Sequence, residues 1–456
     1  MKKNVLLTLI AVGLLAFSCK NNKPQQEVAE SSQEEKCTVK HPEWTRNAVI
    51  YEVNVRQYTK EGTFAAFEEH LPRLKELGVD VLWFMPIHPI SKEKRKGTLG
   101  SYYAVADYKG INPEYGTAED FKRLVNKSHE LGFKVILDWV ANHTGWDNQW
   151  ITNTPEWYTK DSTGVIVSPY DWTDTAELNY DNTDMRNAMI EALSFWVKDF
   201  NVDGFRCDMA HEVPTDFWND ARKKLDEIKP VFMLAESEAP DLMEHAFDAN
   251  YSWELMHIMN DVALGVKSAD EIDTYVQKLD TLFCPDTYKL NLITNHDENS
   301  WNGTEYERLG KGVNAFAVLT YTLNGMPLIY TGQEVGLKKR LEFFEKDMVP
   351  SWKNDEVTAF YKKLNELKHT HPALLAGEQG GKVKRFSTSD SKNLFIFSRE
   401  KAGKEIFVML NLSGKPVTFT SNEAMKGKTY TDYFTGQTVT EIPSTLKAWE
   451  YKVLVK

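Results

Sequence analysis

The chain has 456 residues, of which 42% are hydrophobic, enough for a barrel-sized domain, an insertion and a second domain. Its formal net charge is −12, and no stretch offers the basic stripe that a phosphate backbone requires. That balance argues against a nucleic-acid partner and suits a neutral substrate.

The chain opens like an export signal: Lys2 and Lys3, the apolar run Val5 to Phe17, then small Ser18 and Cys19. A run of thirteen residues is too short to span a bilayer as a helix. Leu15-Ala16-Phe17-Ser18-Cys19 resembles the bacterial lipobox, with Phe17 as a departure. The resemblance implies cleavage after residue 18, lipid attachment at Cys19 and anchoring to a membrane, since each buried methylene adds roughly 0.8 kcal/mol. Residues 19–40 read as a tether: from 20 onward they hold no aromatic residue, Leu or Ile, and cannot bury enough surface to offset their ordering entropy. As a flexible coil the tether reaches on the order of 25 Å. If Cys19 carries lipid, Cys37, Cys207 and Cys284 remain, an odd number. A Cys37 to Cys284 bridge stays open, and Cys207 reads as a buried thiol.

From residue 41 apolar runs alternate with amphipathic stretches. Eight runs read as strands: Val49 to Val53, Val79 to Met85, Phe133 to Trp139, Val202 to Asp208, Val231 to Glu236, Phe247 to Tyr251, Leu290 to His296 and Pro327 to Tyr330. Thr63 to Leu77, Thr117 to Leu131, Thr183 to Phe200 and Pro214 to Ile228 read as helices, the third behind the capping residue Asn182. The order predicts an α/β fold, a (β/α)₈ TIM barrel over 41–376. Asp138 and Asp208 lie 70 residues apart, about two βα steps, which places an insertion after strand three at 144–180. Its Trp146, Trp150, Trp157, Tyr158, Tyr170 and Trp172 either wall a sugar cleft or form the insertion's own core. Beyond 377 short alternating runs between Gly and Ser turns predict a C-terminal all-β sandwich domain, 377–456.

Asp208, Glu236 and Asp297 stand at the ends of three predicted strands, 28 and then 61 residues apart. A barrel brings such ends to one face, where paired carboxylates suit cleavage of a glycosidic bond. Any one of these acids could be a surface charge or a helix cap. Three in order, each at a strand end, make that account strained.

Five stretches sharpen the reading: Asp138-Trp-Val-Ala-Asn142-His143, Gly204-Phe-Arg206-Cys-Asp208, Leu234-Ala-Glu236, Thr294-Asn295-His296-Asp297, and Gly325-Met-Pro-Leu-Ile-Tyr330-Thr-Gly-Gln-Glu334. With them, nearly everything from Asn47 to the C-terminus resembles the α-amylase superfamily of retaining glycoside hydrolases. The resemblance implies Asp208 as nucleophile, Glu236 as general acid/base and Asp297 as the third carboxylate. Retention implies Asp208 and Glu236 carboxyls about 5 to 5.5 Å apart. It also implies a substrate-binding set of Tyr103, His143, Arg206 and His296, with Tyr102 as the alternative to Tyr103. Arg206 lies two residues from Asp208 on one strand, so it faces the same side and keeps that carboxyl ionised. Asp138 and Asn142 read as architectural. Family members often bind calcium through the Asn at the position of Asn142; six to eight oxygens are needed, and the insertion shows no obvious further carboxylates. The chemistry itself needs no cofactor.

One departure stands out. Many α-amylases carry a Lys-His pair just beyond the nucleophile, where this chain has His211-Glu212. That leaves endo against exo cutting, and water against sugar as acceptor, undecided. The expected activity is hydrolysis of α-1,4-linked glucans. The alternatives are a 4-α-glucanotransferase and a catalytically inactive surface glycan-binding lipoprotein; oligomeric state is not legible.

Overall fold

The computed structural model describes residues 37–420 and 428–456. Cys19 and the export signal lie outside the described residues. Eight parallel strands close into a barrel, each paired with the next in chain order and the last with the first. They are β1 (Ile50–Val53), β2 (Val81–Phe84), β3 (Lys134–Val140), β4 (Gly204–Asp208), β5 (Phe232–Ala235), β6 (Ala249–Tyr251), β7 (Tyr288–Asn291) and β8 (Met326–Tyr330). Alternation turns every second residue inward. Ile50, Val81, Ile136, Phe232, Leu290 and Leu328 fill the interior with apolar side chains. Glu52, Asp138 and Arg206, buried nearer the C-terminal ends of β1, β3 and β4, bring charge to that end.

Most predicted elements form with shorter ends. The helix Thr183–Phe200 has the expected bounds, with Asn182 accepting from Met185 N–H. The helix Ala118–Glu130 is closed by a full capping box between Thr117 and Asp120. The stretch Thr63 to Leu77 is instead two helices, Phe64–Glu68 and Leu71–Leu77, because Pro72 cannot donate back into a continuous turn. The seventh strand also departs: it ends at Asn291 rather than His296. Asn295 Oδ1 accepts from Glu298 N–H at 2.8 Å, and a π-helical turn follows at Glu298–Asn302. Local side-chain bonding of this kind competes with a ladder.

The expected insertion is present. A two-stranded ribbon, His143–Gly145 with Thr175–Glu177, frames it, and a short helix, Gln149–Asn153, lies inside. Its aromatic residues divide. Trp150 packs on Trp157 and Tyr108 and Tyr158 is buried, whereas Trp172 is half-buried and faces the barrel mouth.

Past the barrel an antiparallel sheet of six strands forms, in which Lys404–Asn411 lies between Leu394–Lys401 and Tyr451–Val455, with a two-stranded partner, Val417–Thr418 with Thr445–Leu446. One face (Phe395, Phe397, Ile406, Val408) joins the core of the barrel; the other (Ile396, Phe407, Met409) packs toward Val417 and Leu446. Burial on both faces explains why these strands read as near-continuous apolar runs.

Cys37 and Cys284 form a disulfide, with their Cα atoms 5.8 Å apart, so the pairing left open by the sequence is made. It revises the tether: residues 37–40 are held on the barrel, where Thr38 N–H also donates to Glu244 O at 2.9 Å. Cys207 is a free, buried thiol.

Candidate active site

At the C-terminal end of the barrel lies a cleft of about 480 Å³. Tyr103, His143, Trp172, Asp208, Glu236 and Asp297 are among its lining residues. Asp208 is the last residue of β4, and Glu236 follows the end of β5. Asp297 arrives from the loop beyond β7, so the three acids meet although only two sit at strand ends. The Asp208 and Glu236 side chains are each 10% exposed, whereas that of Asp297 is 39% exposed.

One guanidinium organises the site. Arg206 Nη1 donates to Asp208 Oδ1 at 2.9 Å and to Asp138 Oδ1 at 3.0 Å, and Nη2 makes an ion-pair contact with Glu236 Oε1 at 2.9 Å. Its Nε donates to the Tyr251 hydroxyl at 3.2 Å. Arg206 is fully buried and does not line the cleft. Arg206 stands behind the carboxylates and positions them. Asp138 braces this same guanidinium, with its other oxygen accepting from Trp83 Nε1 and the Tyr103 hydroxyl.

The electrostatics separate the acids. Burial pushes Asp208 up to about 6, with Arg206 opposing the shift. Burial pushes Glu236 further, to about 7, against Arg206 and with the Asp208 charge adding to the rise. Asp297 goes the other way: burial would raise it, but the adjacent His296 outweighs that and its carboxyl is held below the ordinary value. Of the three acids, Glu236 is therefore the one that holds its proton to the highest pH.

His296 is 1% exposed and lies directly behind Tyr103 and Asp297 of the cleft lining. Its Nδ1 bonds Glu52, and its Nε2 lies 2.7 Å from the Tyr103 hydroxyl and 3.3 Å from Asp297 Oδ2. Burial opposes its charge, yet the Asp297 and Glu52 carboxylates raise it well above the ordinary histidine range. His143 does face the cleft. Burial drives it down to about 4, so it is a neutral hydrogen-bonding ring, packed edge-on against Trp172 at 5.5 Å between centroids. Tyr103 rather than Tyr102 lines the cleft; Tyr102 is buried under Arg56 and donates to Asn54.

Asn142 is buried beside His143, its amide nitrogen 3.4 Å from His143 Nδ1, and its carbonyl accepts from Leu178 N–H of the insertion. Among the described residues no group of three or more His, Cys, Asp or Glu is gathered to hold a metal ion. The side chains around Asn142 do not fit the oxygen-rich shell of calcium. Glu52 was missed by sequence reasoning. Its signal was a lone acid inside the otherwise apolar run Val49 to Val53, on the inward side with Ile50.

The model of the alpha-amylase catalytic domain matches residues 29–163 and 154–373, and that of the maltogenic amylase C-terminal domain matches 385–453. The chain belongs to the alpha-amylase family of glycoside hydrolases. Alpha-amylase 3 of Dictyoglomus thermophilum is 28% identical over 464 residues, covering 84% of this chain and 88% of that relative. Alpha-amylase MalA of Haloarcula japonica is 27% identical over 393 residues, 83% of this chain; the alignment spans 57% of MalA's own length. Among solved structures, an alpha-amylase from Lactobacillus plantarum shares 30% identity at a TM-score of 0.81, covering 90% of this chain and 99% of that one. The noncanonic maltogenic alpha-amylase AmyB from Thermotoga neapolitana shares 29% identity at a TM-score of 0.82, over 90% and 98%. This family member thus has the barrel, the insertion and the C-terminal domain of enzymes whose names describe amylase action.

Proposed function

We propose that the protein is a retaining hydrolase of α-1,4-linked glucans such as starch, glycogen or maltooligosaccharides. The observation that carries the reading is the bridge of Arg206 between Asp208 and Glu236, which binds both carboxyls to one planar group while their proton affinities differ. In the first step an Asp208 oxygen bonds to the sugar C1, the bond from C1 to the leaving oxygen breaks, and Glu236 gives that oxygen its proton. In the second, Glu236 takes a proton from water, whose oxygen displaces Asp208 and restores the original configuration at C1. That Asp297, His143 and Tyr103 line the same cleft supports the reading in which the first two bond hydroxyls of the ring and Tyr103 lies beneath it.

The test is incubation with maltoheptaose, followed by chromatography of the products and NMR of the newly formed reducing end. The α-anomer is expected first; the β-anomer first would overturn retention, and products longer than the substrate would replace hydrolysis with transfer. Asp208→Asn and Glu236→Gln are each expected to lower turnover by roughly three or more orders of magnitude with folding preserved. Near-normal activity in both variants removes the mechanism.

We also propose, from Leu15 to Cys19 alone, export and lipid anchoring at Cys19.

A further inference from the structure

His296 stands between two carboxylates and a tyrosine, and the hydrogen-bonding needs of these neighbours fix how many protons its ring carries. Its Nδ1 bonds a Glu52 oxygen, while its Nε2 lies 2.7 Å from the Tyr103 hydroxyl and 3.3 Å from Asp297 Oδ2. The Tyr103 hydroxyl has a single proton, which it donates to Asp138 Oδ2 at 3.2 Å. Toward His296 it can therefore only accept. Asp138 has no proton to return, because its oxygens also accept from Trp83 Nε1 at 3.1 Å and from Arg206 Nη1 at 3.0 Å. Nε2 accordingly carries a proton. On the opposite edge an ionised Glu52 accepts only, so Nδ1 donates as well, and a ring that donates from both nitrogens is an imidazolium. Burial raises the Glu52 carboxyl, with His296 opposing, but His296 itself is raised well above the ordinary histidine range, so the proton between them belongs to the ring.

Glu52 is badly placed for a residue that only fills space. It lies inside β1, fully buried, and its Oε2 has no hydrogen-bond partner. An apolar side chain there would continue the interior begun by Ile50 without leaving an unpaired oxygen in the barrel. Charge accounts for the acid. Around the ring, Trp83 from β2 packs edge-on at 6.1 Å and Phe343 lies 6.5 Å away, neither of them charged, and the nearby cation Arg206 is engaged by Asp138, Asp208 and Glu236. Asp297, with its side chain 39% exposed, is partly screened by water, whereas Glu52 is not.

We propose that Glu52 is a positioning residue for the reaction: it fixes His296 as a cation, and that cation keeps Asp297 ionised and the Tyr103 hydroxyl turned toward Asp138. The inference rests on the α-glucan hydrolase reading above. An ionised Asp297 accepts from sugar hydroxyls and stabilises the positive charge that develops on the sugar ring as the glycosidic bond breaks. Glu52 touches no substrate and acts wholly through His296.

The experiment follows the His296 ring by NMR in histidine-labelled protein, its signal assigned by its loss in His296→Asn, together with the pH profile of kcat on maltoheptaose. In the wild type the ring is expected to stay doubly protonated up to roughly pH 9, past the ordinary histidine range. Glu52→Gln keeps the length and an acceptor oxygen but removes the charge. In that variant the ring is expected to titrate at least roughly two pH units lower, with kcat at neutral pH reduced roughly tenfold and the basic limb of its profile moved toward acid. The cation, and the activity that needs it, is then lost at a lower pH. A merely structural Glu52 would lower stability and leave both the ring titration and the limb in place; that outcome, in a variant shown to be folded by circular dichroism, overturns the proposal. A wild-type ring that titrates in the ordinary range overturns it too, and decides the matter if the variant does not fold. No cleavage of maltoheptaose by the wild type would instead overturn the α-glucan reading and this proposal with it, whatever the ring does.

Discussion

Arg206, Asp208 and Glu236 show how one buried cation sets two proton affinities at once. The guanidinium limits the rise that burial imposes on both acids; neighbouring carboxylates add to that rise at each, Asp138 at Asp208 and Asp208 at Glu236, and Glu236 ends the higher of the two. The sign of the pH dependence follows. Asp208 must be ionised to attack, so activity falls as pH drops through about 6; Glu236 must hold its proton, so activity falls as pH rises through about 7. A bell-shaped kcat/KM profile is expected, its limbs belonging to the coupled pair, and Glu236→Gln should abolish the basic limb in the residual activity. A wild-type profile flat well above neutrality would contradict the assignment. At this scale the sequence is legible for motif residues and, as a lone acid in an apolar strand, for Glu52, but blind to Trp301 and Phe343, which reach the cleft from segments without recognisable spacing. The depth of Arg206 and His296 behind the wall was equally hidden, since a strand pattern gives the face a residue points to and not what lies in front of it.

Among the elements, the strands show what periodicity can and cannot deliver. All eight were found because a barrel strand is apolar for several residues, but β7 was drawn five residues too long at its C-terminal end, as Thr294, Asn295, His296 and Asp297 follow an apolar run directly. Only the backbone shows that Asn295 leaves the ladder to cap a turn. The disulfide is a second case. Counting cysteines left one over, and the pairing depended on a contact between residues separated by 247 positions. Closing so long a loop restricts the unfolded chain, and Cys284→Ser is expected to lower stability by about 2–4 kcal/mol, read as a fall in thermal midpoint that reductant reproduces in the wild-type protein. Midpoints that coincide with and without reductant would show the bridge to be energetically idle.

For the whole molecule, the C-terminal domain is joined to the barrel by more than apolar packing. Arg399 is fully buried and donates to Gly381 O at 2.6 Å, Thr322 O at 3.1 Å and Leu375 O at 3.2 Å; Thr322 ends the helix Val313–Thr322. A cation at a helix C-terminus meets the negative end of its dipole. Burial pushes this arginine down to about 9. Removing its side chain orphans three carbonyls, so Arg399→Ala is expected to cost about 3 kcal/mol or more in denaturant unfolding, and an unchanged midpoint would mean that water replaces it freely. At the other end, Cys19→Ser is expected to move the protein from the membrane to the soluble fraction; unchanged sedimentation with membranes would count against the anchor.

The sequence by itself determined the alternation of strands and helices, the place of the insertion, the second domain and the family motifs, because each of these is written in local periodicity or in a few adjacent residues. Only the folded chain shows which side chains stand in the cleft and which behind it, the Cys37–Cys284 pairing, and the sharing of Arg206 between two acids. The reason is physical: burial and ion pairing depend on distances between segments hundreds of residues apart, and no local pattern specifies those until the barrel has closed.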